Sequence, residues 1–201
     1  MVSQARALAE AMLEIESACL RARSNRDADG IDDAASAGID KVGIFVSPTS
    51  EELETAVATV RLDVVQIHGS LPATLPEGVR LWRALPVADD FRFRPAGPNV
   101  EAYLLDTPDH LGGGSGRTFN WNLAAIDSAR IVLAGGLEAS NVRAAIRTAR
   151  PWGVDACSRL ESAPGRKDPQ KVKAFVEAAR AAFYEAQGFS SANEALVKET
   201  V

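Results

Sequence analysis

A carboxylate and a run of glycines meet in the middle of the 201-residue chain, where Leu104-Leu105-Asp106-Thr107 is followed by Gly112, Gly113, Gly114 and Gly116, then Arg117. Asp106 closes an apolar run, and a carboxyl group at the end of a buried strand can be desolvated enough to serve as a general acid. The plainer reading is a strand stop whose aspartate caps the next loop. His68 closes a second apolar run, Val64-Val65-Gln66-Ile67-His68, and Gly69 follows at once. Strand alternation puts Gln66 on the same side as His68, as site residues or as polar interior residues. Gly135 and Gly136 follow Ile131-Val132-Leu133-Ala134, and backbone N–H groups with no Cβ in the way can approach an anion there. The glycines at 112–116 lack the spacing of a nucleotide-binding P-loop and read instead as a loop closing over a site. Asp155, Cys157, Ser158 and Arg159 lie together in Gly153-Val154-Asp155-Ala156-Cys157-Ser158-Arg159-Leu160.

The elements that must position these residues alternate. Short apolar runs at 41–46, 62–69, 79–85, 101–107, 131–137 and 153–160 read as six strands. Helices are predicted over 47–61, with Leu53, Ala56, Val57 and Val60 on one face, over about 140–150, and from about Asp168 through Tyr184 with Pro169 in the first turn. Near-continuous apolar strands separated by helices predict an α/β fold with a parallel sheet buried on both faces. Such sheets close into barrels with eight strands, and two strands are unaccounted for. Residues 1–187 read as one barrel-type domain, with 1–40 an atypical, alanine-rich and then polar N-terminal segment, and 188–201 as a tail.

The composition narrows the function. With 46% hydrophobic residues the chain can bury a sizeable core, and its net charge of −5 argues against a nucleic-acid or membrane surface. Two cysteines, Cys19 and Cys157, make no disulfide framework, and two histidines make no zinc pattern. Cys157 is expected to pack as a small hydrophobe. No apolar stretch reaches a membrane span and no signal segment is visible, so a cytoplasmic protein is the expectation.

Taken in order, KVGIFV, LDVVQIHG, LLDT, GGGSGRTFNW, LAGGL and RPWGVDACSRLESAPGRKDP resemble phosphoribosylanthranilate isomerase, a (β/α)8-barrel family of tryptophan biosynthesis, from about Lys41 to Arg180. The resemblance implies that KVGIFV is the third barrel strand and that the six strands are the third to the eighth, the first two being missing or diverged. It implies an Amadori rearrangement with no metal or cofactor and a small phosphorylated substrate. An acid, here Asp106, protonates the ribose ring oxygen to give a Schiff base; a base then removes the neighbouring carbon's proton to give an enolamine. Gln66 and His68 would contact the anthranilate end and Asp155 a substrate hydroxyl. Gly135, Gly136, Ser158 and Arg159 would hold the phosphate.

Three departures from the family pattern stand out. Arg159 replaces a glycine, so it either adds charge to the phosphate site or spoils its backbone cradle. Asn120 replaces an aspartate. The family's base is a cysteine in a K-I/F-C-G motif that is not found. On one reading residues 2–12 correspond to the second barrel helix and the chain starts at an internal methionine; on another, 18–40 is a remnant of the first strand and helix, with Cys19 as base. Two other functions compete: an indole-glycerol-phosphate synthase, disfavoured because Lys41 is the only strand lysine, and an impaired barrel that binds a phosphorylated sugar without turnover.

Overall fold

The computed structural model describes residues 40–95, 97, 99–108 and 118–186. Two compact units divide between Leu81 and Trp82, inside a strand. The first unit runs β1 (Val42–Val46), α1 (Ser50–Val60) and β2 (Val64–His68), then enters β3 (Arg80–Pro86). β1 and β2 are parallel, with Ile44 opposite Gln66 and Val46 opposite His68. The α1 start was legible from its caps. Thr49 accepts the Glu52 N–H, and the Glu52 carboxylate accepts the Thr49 N–H, a reciprocal capping box. Leu53 is the fully buried residue of α1; Ala56, Val57 and Val60 are half-buried on the same face.

The second unit continues β3 and adds β4 (Val100–Asp106), a 3-10 turn at Trp121–Ala124, β5 (Ile131–Leu133), α2 (Val142–Ala149) and β6 (Gly153–Val154). A second 3-10 turn, Ser158–Leu160, leads into a small antiparallel pair, β7 (Glu161–Ala163) and β8 (Arg166–Lys167), and then α3 (Pro169–Ala186). β4, β5 and β6 are mutually parallel neighbours. Asp168 accepts the N–H groups of Gln170 and Lys171 at the start of α3, and Pro169 takes the first-turn position that needs no N–H.

Alternation divides the second unit's sheet residues into two sets. Tyr103, Leu105, Ile131 and Leu133 pack with Val142, Ile146 and Phe175 of the helices. Ala102, Leu104, Val132 and Ala134 pack with Ala84 on the opposite face. Asp106 follows in the register of Ala102 and Leu104, so it lies on the face away from the helices. The six strands, mainly parallel and interspersed with helices, are those expected from the apolar runs.

Two strands end sooner than their apolar runs suggest. The run 131–137 is extended only to Leu133, because Gly135 and Gly136 turn with φ of 86° and 64°. The run 153–160 is extended only to Val154; Cys157 leaves the strand at φ −125°, ψ −84°, and Ser158–Leu160 coil.

Candidate active site

Asp106 is the last residue of β4 and half-buried. Its backbone carbonyl accepts the Val87 N–H at 2.8 Å, and its Oδ1 accepts the Thr107 N–H at 2.7 Å. The carboxylate is therefore fixed by the residue that follows it. Asp155 sits one residue beyond β6, where its N–H donates to Leu133 O at 2.9 Å. Its side chain shares the Gly153 register, opposite Val132, and so lies on the same face as Asp106. Although the residue presents surface to solvent, its carboxyl is crowded by protein atoms. Desolvation is the main cause that raises its pKa, and the Asp106 charge adds to it; Lys167 and the Ala156 N–H oppose the shift.

The turn after β5 brings Gly135 against β4: a Cβ there would meet Thr107 Oγ1 and lie 2.8 Å from Asp106 Oδ1. Asn141 braces the far side of this turn, donating to Gly136 O at 3.0 Å and accepting the Glu138 N–H at 2.9 Å. After β6, Ser158 and Arg159 open the second 3-10 turn, with Arg159 exposed. Arg159 is not among the left-handed residues, so replacing a glycine costs the backbone nothing there. What Arg159 contributes is a guanidinium.

Cys157 does not pack as a small hydrophobe. It is exposed, and Lys167 Nζ stands 3.0 Å from its Sγ, 2.9 Å from its carbonyl and 2.8 Å from Glu161 Oε1. Lys167 reaches back because Pro164-Gly165 turns the β7–β8 pair on itself; that dipeptide was the available turn signal. Asn120 caps the first 3-10 turn, its Oδ1 accepting from Asn122 N at 3.2 Å and Nδ2 at 2.9 Å.

In the first unit, His68 ends β2 and Gln66 is buried beside it, with Gln66 Nε2 3.1 Å from His68 Nε2. The alternation expected of this pair is present, and the imidazole is oriented by its own strand. Cys19, Arg117 and the glycines at 112–116 lie outside the described residues. No group of three His, Cys, Asp or Glu side chains suited to a metal occurs among the described residues, and none of their helices is long and apolar enough to cross a membrane.

A parallel sheet carrying carboxylates and glycine turns at the carboxyl ends of its strands places this chain among the β/α-barrel enzymes, whose chemistry sits at that end. The family model described as N-(5'-phosphoribosyl)anthranilate (PRA) isomerase matches residues 5–178, reaching further toward the N-terminus than the motifs from Lys41 onward. N-(5'-phosphoribosyl)anthranilate isomerase of Solibacter usitatus is 47% identical over 148 residues, covering 72% of this chain and 74% of its own. The crystal structure of phosphoribosyl anthranilate isomerase from Thermotoga maritima superposes with a TM-score of 0.60 at 34% identity, over 71% of this chain and 73% of that one. Another solved isomerase, in complex with reduced 1-(o-carboxyphenylamino)-1-deoxyribulose 5-phosphate, has a TM-score of 0.55 at 29% identity over 71% and 72% of the two chains. The chain belongs to the phosphoribosylanthranilate isomerase family, a family of aldose-ketose isomerases.

Proposed function

We propose that this chain converts N-(5'-phosphoribosyl)anthranilate to 1-(carboxyphenylamino)-1-deoxyribulose 5-phosphate in tryptophan biosynthesis. The observation that carries the reading is Asp106, fixed at the carboxyl end of β4 on the Thr107 N–H. Asp106 gives its proton to the ribose ring oxygen; the C–O bond breaks, and the amine nitrogen's lone pair forms the Schiff base. Removal of the proton from the adjacent carbon then gives the enolamine, which tautomerises to the ketose. Cys19 is that base only on the reading in which residues 18–40 are a remnant of the first strand and helix; on the other reading this chain's base is not identified.

Asp155 hydrogen-bonds a substrate hydroxyl from the carboxyl end of β6. The N–H groups of Gly135 and Gly136, the Ser158 hydroxyl and the Arg159 guanidinium receive the phosphate, where backbone dipoles and a charged fork both favour an anion. Gln66 and His68 take the anthranilate end. A phosphate ester with this charge does not cross a bilayer unaided, which supports a cytoplasmic place for the reaction; activity should be recovered in the soluble fraction of lysed cells.

The test is the loss of substrate fluorescence on turnover. Asp106→Asn should lower kcat by about 10²- to 10⁴-fold, the usual worth of a positioned general acid. An inert wild type, or an Asp106→Asn variant as fast as wild type, would end this reading. Unchanged turnover in Cys19→Ser would remove Cys19 as the base.

A further inference from the structure

The same local device occurs once in each unit. In the first, Gly69 stands directly after β2 at φ 73°, and a Cβ there would collide with Ser47 Oγ. Ser47, directly after β1, donates its N–H to His68 O at 2.8 Å and accepts the Ser70 N–H at 3.0 Å. A glycine after one strand thus seats the hydroxyl that follows the preceding strand. In the second unit Gly135, at φ 86°, seats the Thr107 hydroxyl in the same way. Here the notch holds more than a hydroxyl: a Cβ on Gly135 would also lie 2.8 Å from both Asp106 Oδ1 and Thr107 N, where ordinary contact begins at 3.4 Å. These are the two atoms of the hydrogen bond that fixes Asp106.

A phosphate subsite asks of Gly135 only its N–H and room on the ligand's side. The crowding is on the other side, against the acid. We propose that Gly135 and Thr107 are positioning residues for Asp106: the absent side chain of Gly135 keeps open the place in which Oδ1 and the Thr107 hydroxyl lie, and the Thr107 N–H holds Oδ1 there. The inference rests on Asp106 being the ring-opening acid, but the contact itself can be tested without turnover.

The experiment uses the full chain and compares wild type with Gly135→Ala, Thr107→Ala, Gly165→Ala and Asp106→Ala. Gly165 has φ 74° with open space where its Cβ would go, so Gly165→Ala reads the backbone strain alone and should keep kcat. Gly135→Ala should lower kcat by about 10²-fold, as expected for displacing a catalytic group by an ångström or less, with KM changed several times less. Thr107→Pro, made alongside these, removes the N–H that holds Oδ1 and should lower kcat by about tenfold, which keeps the test available if Gly135→Ala folds poorly. A kcat within about twofold of wild type in either variant, whatever happens to KM, overturns the positioning role of that residue.

Thermal midpoints supply the reading that is independent of activity. Gly135→Ala should cost less in an Asp106→Ala background than in wild type, because the clashing oxygen is gone; simple additivity of the two shifts overturns the contact. The first unit gives the contrast. Ser47→Ala should relieve the steric part of the cost of Gly69→Ala, since the remaining Ser47 atoms are 3.5 Å or more away, whereas Thr107→Ala should relieve less of the steric cost of Gly135→Ala, since Asp106 Oδ1 and Thr107 N stay in place at 2.8 Å. Equal relief in both pairs would also overturn the assignment. An inert wild type would count against the proposed reaction and leave the midpoints to decide this one.

Discussion

Desolvation and the Asp106 charge both push the Asp155 carboxyl above its ordinary pKa, with Lys167 and the Ala156 N–H working against them. A carboxyl whose folded pKa exceeds its unfolded value binds more protons in the folded state between the two values. Stability therefore falls as pH rises through that window, and above it the fold carries an unfavourable charge. Asp155→Asn should accordingly melt higher than wild type at neutral pH, with the difference vanishing below the ordinary carboxylate range. Thermal melts at both pH values check this; a variant that melts lower than wild type at pH 7 would contradict the sign. The same variant should raise KM if the carboxyl meets a substrate hydroxyl. At this scale the sequence exposed what lies at strand ends: Asp106, His68 and Gly135 each stand where an apolar run stops. It concealed Lys167, whose approach to Cys157 and Glu161 depends on a two-strand pair folding back. It also gave no sign that Thr107 and Gly135 meet, because no local pattern joins residues that far apart.

Strands and helices were legible where composition and caps agree. The α1 start follows from Thr49, with Glu52 three residues on, and that cap can be weighed. Thr49→Ala removes the side-chain oxygen that accepts the Glu52 N–H, a loss of about 1 kcal/mol at a helix N-terminus, or about 2–4 °C in Tm for a chain of this length. A shift below about 1 °C in a thermal melt would show that the cap is already replaced by water. The ends of β5 and β6 were less legible for a related reason. Hydrophobicity continues through Leu137 and Leu160, both buried, so period and composition still read as strand. Backbone conformation has already changed at Gly135 and Cys157. Burial and extension part company at those turns, and the turns carry the phosphate-binding residues proposed above.

At the scale of the second unit, the hydrophobic core and the surface ion pairs hold the same two helices with very different strength. Ile146 of α2 is fully buried in the cluster that includes Phe175 and Ala182 of α3, while Glu185 of α3 takes Arg143 and Arg147 of α2 at 2.6 and 2.8 Å on the solvent side. Ile146→Ala should cost about 2–5 kcal/mol, since both the transfer energy and the cavity count; Glu185→Gln should cost far less, as exposed pairs do. Chemical denaturation of both variants would reverse the ranking only if the helices were held by charge.

Ligand binding reports on the whole molecule in the same units, because whatever binds the folded state alone adds RT ln(1 + [L]/Kd) to its stability. Reduced 1-(o-carboxyphenylamino)-1-deoxyribulose 5-phosphate, present in a solved relative, is the natural probe. At a hundredfold excess over its Kd the gain is about 2.7 kcal/mol, or about 5–11 °C in Tm. Asp106→Asn should keep most of that shift while losing turnover, because an acid that acts in the transition state adds little to holding a product analogue. Arg159→Ala should lose part of it, because a guanidinium on the phosphate binds substrate and analogue alike. If Asp106→Asn instead abolished the shift with turnover, Asp106 would be a binding residue, and the proton for ring opening would have to come from elsewhere.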